Sequence, residues 1–136
     1  MASTFELSVV APDREVVAAN STSVIAPGVD GYFGVWAGHV PVVSALKPGI
    51  LEFLDENGNR NHVYVGGGFV QVDSSKVTVL ADEARLASDL DVSEAEKVLE
   101  EARKALRGED STVPSEDAVM EIERATARIR AAKAGK

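Results

Sequence analysis

The chain has 136 residues, 45% of them hydrophobic, and a net charge of −8, so it can form one ordinary domain or a small domain with an appendage. The absence of Cys excludes disulfides and thiolate sites, the two His residues exclude a histidine-rich metal site, and the acidity argues against nucleic acid or anionic lipid as main partner. No apolar run approaches the ~20 residues of a membrane span, and the first residues lack the features of a signal peptide. We expect a soluble intracellular protein, poor in catalytic residues, that does not insert into a membrane.

Up to residue 86 the apolar residues alternate or form short runs closed by turn residues, which is typical of β-strands. Asn57-Gly58 predicts a hairpin turn, because both residues readily adopt positive φ angles. The spacing of the turns predicts a sandwich or barrel of about eight to ten short strands. The clearest strands are residues 5–9, 23–26, 49–54, 61–65, 69–72 and 76–80.

After residue 86 the apolar period becomes helical. Asp91 can cap a first helix, Glu94 three residues on resembles a capping box, and Gly108 can end it. The pattern predicts a β domain over 1–86 and an antiparallel helical hairpin over 87–136. The alanine-rich stripes of the two predicted helices bury little apolar area, so we expect the hairpin to pack against the β domain or against another protein. The stripes are Val92, Ala95, Leu99, Ala102 and Leu106, then Ala118, Ile122, Ala125, Ile129 and Ala132.

Few residues point to chemistry of their own. The glycine-rich stretch 31–39 lacks the ending of a phosphate loop, so turns and bulges explain it better, and Gly66-Gly67-Gly68 predicts a turn or a close backbone approach. His39 or His62 is a general base in principle, but no Ser-His-Asp signature accompanies either. For the carboxylates at 82 and 83 we expect a solvated edge or a pairing with Arg85.

The second helix begins acidic and ends basic, which two interpretations explain. The gradient complements the helix dipole. Alternatively, the basic end is a probe for an acidic protein surface. The basic residues are Arg124, Arg128, Arg130, Lys133 and Lys136, with no acid among them.

Several ordered motifs resemble the epsilon subunit of F-type ATP synthases. The most specific is the stretch from Gly31 to Pro41, which reads GYFGVWAGHVP, followed by LKPG at 46–49. GGFVQV at 67–72, VTVLAD at 77–82 and DLD at 89–91 also match, so the resemblance covers nearly the whole chain.

The resemblance implies an N-terminal ten-stranded β-sandwich and a C-terminal helical hairpin. It also implies a non-catalytic subunit of the central stalk that binds the gamma subunit, stands on the ring of c subunits, and couples proton flow to ATP synthesis. In many members the hairpin extends toward the catalytic alpha/beta hexamer and inhibits ATP hydrolysis. The implied location is peripheral to a coupling membrane, on the cytoplasmic face of a bacterial plasma membrane or its organellar equivalent.

Carried over by position, the resemblance gives three sets of contacts. The c-ring contacts are Asp30, Gly31, Tyr32, Gly38 and His39, and some members have an acid where Tyr32 stands. The gamma contacts are Gly67, Gly68 and Phe69. The inhibitory hairpin residues are Arg124, Arg128, Arg130 and Lys133.

One departure concerns nucleotide binding. Some bacterial members bind ATP through Ile/Leu-Asp-x-x-Arg-Ala, and here Asp91 is matched but Glu94 stands in place of the arginine. An anion beside a polyphosphate reverses the electrostatic attraction. We therefore predict no cofactor and weak or absent ATP binding.

Two other functions stay open on the residues alone. A stand-alone ligand-binding β domain with a helical interaction tail requires a deep pocket in the sandwich. A small hydrolase would use His39 with Asp30 or Asp82.

Overall fold

The computed structural model describes residues 3–38 and 41–134, so the predictions for His39 and Lys136 lie outside the described residues. Seven strands are followed by two main helices, as the sequence predicted for a β-sandwich with a helical hairpin. The strands are β1 Phe5–Ala11, β2 Arg14–Gly28, β3 Gly31–Trp36, β4 Val42–Asp55, β5 Arg60–Val72, β6 Lys76–Ala81 and β7 Ala84–Leu86. The helices are α1 Val92–Leu106 and α2 Ala118–Ala134, with short 3₁₀ turns at Ala87–Asp89 and Ser115–Asp117.

The sheet closes on itself. Its strand order is β1-β6-β5-β4-β2-β3, and β1 also pairs with β2 while β7 pairs with β5. β1 runs parallel to β6, with Leu7 opposite Val77, and antiparallel to the first half of β2. Because β2 continues past Ser21 to pair with β3 and β4, it joins the two layers of the sandwich.

The strand count is seven rather than about ten because three strands are long. β2, β4 and β5 have 15, 14 and 13 residues, and the ladders of β2 shift register near Ser21 and Ile25. In the pairing of β4 with β5 the facing residues Lys47 and Gly67 are not bridged, although the register is the same on both sides of them. These irregularities bend a strand without ending it, so turn-like residues fall inside continuous elements.

The interior of the sandwich is filled by aliphatic side chains. Every second residue of β1 and β6 points inward, as the period of a strand requires. The innermost residues are at most 1% exposed: Leu7, Val9, Val24, Ala26, Val35, Leu51, Val63, Val65, Val70, Val77 and Val79. The filled interior argues against a ligand-binding β domain, because the large polar cavity of this domain, a wide depression of about 600 Å³ lined by Glu15, Asn20 and Asp55, lies on the outer surface and not within the sandwich.

The predicted turn joins β4 to β5. Gly58 has φ +83°, and its N–H donates to the Asp55 carbonyl oxygen at 3.0 Å. The Asp55 carboxylate accepts from the N–H groups of Asn57 and Asn59, each at 2.9 Å. The hydrogen bonds, first among them the one from Asn59, lower the pKa of Asp55 below its ordinary value.

The two helices pack against each other through small residues. All the buried residues of α1 are alanines: Ala95, Ala102 and Ala105. The hairpin also lies on the sandwich, and α2 carries its contacts with β4 and β5. The predicted leaning of the hairpin on the β domain is therefore confirmed. No helix within the described ranges is long and apolar enough to cross a membrane.

Candidate functional site

The loop predicted to contact a c ring lies at one end of the sandwich, between β2 and β3. Asp30 is exposed in the turn, and Gly31 follows it with φ +129°. Gly38 has φ +80° and is also exposed. Asp30, Gly31 and Tyr32 lie at the start of β3, whereas Gly38 follows the opposite end of this strand, and His39 is outside the described ranges. The positive φ angles agree with the turn role predicted for the glycines.

Tyr32 is held in place although its side chain is largely exposed. The residue is 54% exposed, and its hydroxyl oxygen accepts a hydrogen bond from the Ile50 backbone N–H at 3.1 Å. It also lines a groove of about 400 Å³ between the sandwich and α2, which Lys47 and Arg130 share. The side chain offers a partner an uncharged aromatic surface fixed to β4.

A first exposed apolar surface crosses β4, β5 and β6. We call Val43, Phe69 and Leu80 the Phe69 patch; they are 68%, 57% and 55% exposed. Phe69 lies opposite Ala45 on β4 and opposite Leu80 on β6. Val43 is two residues from Ala45 and so points to the same face. Among the predicted gamma contacts, Phe69 thus belongs to a larger surface that the sequence analysis missed.

Gly67 and Gly68 do not belong to the exposed patch. They have φ angles of +103° and +130° within β5, and Gly67 is buried. A side chain on Gly68 would collide with the Leu80 carbonyl oxygen. A close backbone approach was one of the two options predicted for the three glycines; at Gly68 it occurs, and it lets β5 bend against β6 beside Phe69.

A second exposed apolar surface lies on β2 and β3. Ile25 and Trp36 are 41% and 64% exposed, and they flank a groove of about 300 Å³. The Trp36 ring lies next to Gly34, where a Cβ would be 3.2 Å from the ring. Gly34 therefore leaves room for the indole to lie along the strand.

A polar cluster joins the hairpin to the sandwich. The Arg128 Nη2 donates to both carboxylate oxygens of Glu83, at 2.8 Å and 3.1 Å, and the Tyr64 hydroxyl donates to Glu83 Oε1 at 2.5 Å. The guanidinium carbon lies 5.3 Å from the centroid of the buried Tyr64 ring. Glu83 therefore pairs with Arg128 and not with Arg85, so the sequence-based expectation for Glu83 is wrong.

The environment of this cluster shifts two pKa values. Burial, together with the hydrogen bond to Glu83, raises the pKa of Tyr64, so its proton stays in place. Burial by itself would raise the pKa of Glu83, but the hydrogen bonds from Tyr64 and Arg128 and the charge of Arg128 outweigh it and lower that pKa. Glu83 is therefore ionised at neutral pH.

The four basic residues predicted for the hairpin divide into two pairs. Arg124 and Arg128 turn toward the sandwich, and the Arg124 Nε donates to the Gly66 carbonyl oxygen at 3.2 Å. Arg130 and Lys133 are exposed. The face of α2 that carries the first pair also buries Ala127 and Ala131 against Tyr64. This second stripe was not predicted from the sequence, although its spacing of three and four residues is present there.

The segment that matches the nucleotide motif lines a narrow cleft. Asp91 caps α1, where its carboxylate accepts from the Glu94 N–H at 3.3 Å. Both residues border a cleft of about 180 Å³ with Glu83, Arg85 and Arg128. The cleft is smaller than the roughly 300 Å³ at which ligand pockets begin.

The described residues show little catalytic machinery. His62 pairs with Glu52 at 3.0 Å on the outer face of β4 and β5. Asp30 and Asp82 are exposed in turns, and the hydrolase partner His39 is outside the described ranges. In residues 3–38 and 41–134 no group of three or more His, Asp or Glu side chains is arranged to hold a metal ion. The features available for function are surfaces and the contact between the domains.

Two family models match the chain in succession. The ATP synthase Delta/Epsilon chain β-sandwich domain matches residues 4–87, and the long alpha-helix domain of the same chain matches residues 88–133. The ATP synthase epsilon chain of Anaeromyxobacter sp. (strain K) is 44% identical over 95 residues, which cover 70% of this chain and 71% of that one. The epsilon chain of Nitratidesulfovibrio vulgaris (strain DP4) is 43% identical over 97 residues, covering 71% and 72%.

Solved structures show the same architecture. A chain in the mitochondrial ATP synthase of Euglena gracilis, solved as OSCP/F1/c-ring, has a TM-score of 0.78 at 27% identity, covering 91% of this chain and 78% of that one. A chain in the central stalk/c-ring of the Tetrahymena thermophila enzyme has a TM-score of 0.58 at 16% identity, covering 96% and 97%, and supports the fold alone. The two family models and the curated relatives show that the chain belongs to the ATP synthase delta/epsilon family.

Proposed function

We propose that this chain is the non-catalytic epsilon subunit in the central stalk of a proton-translocating F-type ATP synthase. It couples rotation of the c ring and the gamma subunit to ATP synthesis, and the chemistry belongs to neighbouring subunits. The observation that carries the proposal is the consecutive match of both domains to the ATP synthase Delta/Epsilon chain. As a subunit of this complex, the chain is peripheral to a membrane.

Co-expression with a gamma subunit tests this assignment. We expect a stable one-to-one complex on size exclusion and a fully assembled synthase when the remaining subunits are supplied. A chain that stays monomeric in the presence of folded gamma contradicts the proposal.

The Phe69 patch is the proposed contact with gamma. It is the largest apolar group of exposed side chains around the positions that the family resemblance gives to gamma, and its side chains are 55–68% exposed. Burying such side chains in a protein interface is favourable, and aromatic residues are frequent anchors. We expect Phe69→Ser to weaken gamma binding about tenfold or more. Ile25→Ser, on the other apolar surface, is the matched control and leaves the affinity unchanged.

The turn at Asp30 and Gly31, with Tyr32, is the proposed contact with the c ring, whereas Gly38 follows the opposite end of β3 and is not part of this surface. Gly28, at the edge of this turn, pairs with Leu46 on β4. Leu46 is nine residues from Asp55, where β4 ends, so the β4–β5 turn lies at the other end of the sandwich. A photoreactive amino acid at Asp30 is expected to label a c subunit in the assembled enzyme. The same group at Glu56 is expected to leave the c subunit unlabelled, and the opposite result contradicts this placement.

The hairpin is the proposed inhibitory element, acting on the alpha/beta hexamer through its basic end. Arg130 and Lys133 are exposed while the hairpin lies on the sandwich, whereas Arg124 and Arg128 become available only when it leaves. Truncation after Leu86 is expected to raise ATP hydrolysis by the assembled complex without loss of assembly. Unchanged hydrolysis in a fully assembled truncated complex leaves the hairpin without an inhibitory role.

No nucleotide cofactor is proposed for the cleft at the start of α1. Its acidic residues Glu83, Asp91 and Glu94 repel a polyphosphate, and Arg128 is already engaged by Glu83. We expect no heat of binding on titration of the isolated chain with ATP. Micromolar affinity in that titration contradicts the proposal.

The proposed location is the cytoplasmic face of a bacterial plasma membrane, with an organellar membrane as the alternative. The curated relatives named above come from bacteria, which favours the bacterial setting. Protease treatment of inverted vesicles is expected to digest the subunit, whereas sealed right-side-out vesicles protect it. Digestion from the outer face contradicts this location.

A further inference from the structure

The apolar contact between the hairpin and the sandwich is small. From α2 only Ala127 and Ala131 join the cluster around Tyr64, which Ala87, Ile50 and Leu90 complete. Each alanine contributes a single methyl group, so this cluster buries far less apolar area than the interior of the sandwich. Apolar contact therefore gives the docked hairpin only a modest part of its stability.

Polar contacts provide the stabilisation of the docked hairpin that the small alanine contact does not. Arg124 and Arg128 lie one helical turn apart on the face of α2 that meets the sandwich. Arg124 reaches the Gly66 carbonyl, while Arg128 reaches Glu83 and covers the Tyr64 ring. The side chain of Arg128 is 16% exposed and that of Glu83 is 36% exposed, so water screens this pair only in part.

We infer that Tyr64, Glu83 and Arg128 form a latch that holds the hairpin on the sandwich and whose opening releases the hairpin as an intact unit. In the docked state Glu83 accepts from Tyr64 and Arg128 together, and removing its charge leaves the largely buried Arg128 guanidinium without a counterion and weakens both hydrogen bonds. When the latch opens, water solvates all three groups, so α2 can leave with the contacts between α1 and α2 preserved.

The surroundings make this latch responsive to salt and acid. Arg85 from β7, Asp91 and Glu94 from α1, and Arg124 and Glu121 from α2 are the other charged groups near the three residues. High salt weakens the attraction between Glu83 and Arg128. Protonation of Glu83 removes this attraction, and it requires a pH below the ordinary range for Glu because the pKa of Glu83 is lowered.

The absence of native Cys permits a direct test of release in the full isolated chain. Ala131 is 0% exposed against Tyr64, and Ala102 is 0% exposed on α1. The rate at which a thiol reagent labels Ala131→Cys reports opening of the contact with the sandwich. The rate at Ala102→Cys reports opening within the hairpin, and Ala127→Cys is a second reporter on the sandwich side.

In the Ala131→Cys background, Glu83→Gln and Arg128→Gln are each expected to raise the labelling rate about tenfold. Arg130→Gln, an exposed cation two residues from Arg128, is the matched control and leaves the rate within about twofold. The double variant Glu83→Gln/Arg128→Gln is expected to fall short of the product of the two single effects, because each single change already breaks the same pair. Raising the salt concentration speeds labelling of the parent and not of the double variant.

Three results would overturn the latch. The first is a rate in Glu83→Gln no higher than in Arg130→Gln. The second is a labelling rate in the double variant that equals the product of the two single increases, which would mean that the two residues act independently. The third is equal acceleration at Ala102→Cys, which would mean that the hairpin melts instead of leaving intact. These measurements concern docking in the isolated chain, so they stand apart from whether the hairpin inhibits ATP hydrolysis.

Discussion

At Gly68 the fold requires a glycine for two separate reasons. Its φ is +130°, and an added Cβ would collide with the Leu80 carbonyl oxygen and lie 2.9 Å from the Ala81 Cα. Because backbone atoms of β6 cannot turn aside, we expect Gly68→Ala to lower the free energy of unfolding by about 4 kcal/mol or more, measured by urea denaturation. Gly31→Ala is the matched control, since Gly31 has φ +129° with nothing within 4 Å. It should cost only about 2 kcal/mol, and equal losses at the two sites would contradict the steric argument.

Ser21 is a buried hydroxyl that finds no hydrogen-bond partner among residues 3–38 and 41–134. The unfolded chain hydrates this group, so its burial costs free energy. We expect Ser21→Ala to raise the free energy of unfolding by about 1 kcal/mol. Ser8→Ala is the control, because that hydroxyl donates to Glu15 at 2.6 Å and its loss should destabilise. A loss of stability in Ser21→Ala would show that the hydroxyl has a partner in solution.

At the scale of the element, α1 depends on its first turn. The Asp91 carboxylate accepts from the Glu94 N–H at 3.3 Å, which satisfies one of the free donors at the helix start. We expect Asp91→Ala to lower the free energy of unfolding by about 1 kcal/mol and to speed hydrogen exchange over residues 92–95. Asp91→Asn keeps the acceptor and should retain most of the stability. Unchanged exchange in Asp91→Ala would mean that the cap is not needed.

At the scale of the whole molecule, carboxylates make the fold sensitive to acid. The pKa values of Asp55, Asp73, Glu83, Glu101 and Glu109 all lie below the ordinary values of 3.8 for Asp and 4.5 for Glu. A carboxyl whose folded pKa is lowered stabilises the fold above its ordinary pKa, and that stability is lost as the pH falls through the folded value. We therefore expect urea midpoints to be constant from about pH 6 to 8 and to fall below about pH 4.5.

The turn at Asp55 isolates one part of this acid response. Asp55→Asn replaces a carboxylate that accepts two backbone hydrogen bonds, so the variant should lose less stability between pH 6 and pH 3 than the parent. Glu56→Gln, in the same turn and exposed, is the matched control. If Asp55→Asn lost as much stability between pH 6 and pH 3 as the control, this turn would be excluded as a source of the acid sensitivity.

Local features of the sequence were sufficient to predict the secondary structure elements and the family. The Asn57-Gly58 turn, the Asp91 cap and the switch of apolar period after residue 86 each depend on residues close in the chain, and each lies where it was predicted. The motif from Gly31 to Pro41 led to a family that the comparisons then showed. Near-neighbour geometry fixes these features, so they can be predicted before the fold is known.

Only the tertiary structure decided which surfaces and partners the side chains meet. The pairing of Glu83 with Arg128 joins residues 45 positions apart, and it was predicted wrongly because Arg85 is nearer in the chain. The Phe69 patch exists because β4, β5 and β6 lie side by side in a particular register. From the sequence, Arg124 and Arg128 were predicted to be available to a partner, but in the structure both side chains contact the sandwich. Which face of α2 meets the sandwich depends on how the two domains pack, and the sequence pattern does not determine this. Periodicity determined that α2 is a helix, whereas long-range packing determined what that helix holds.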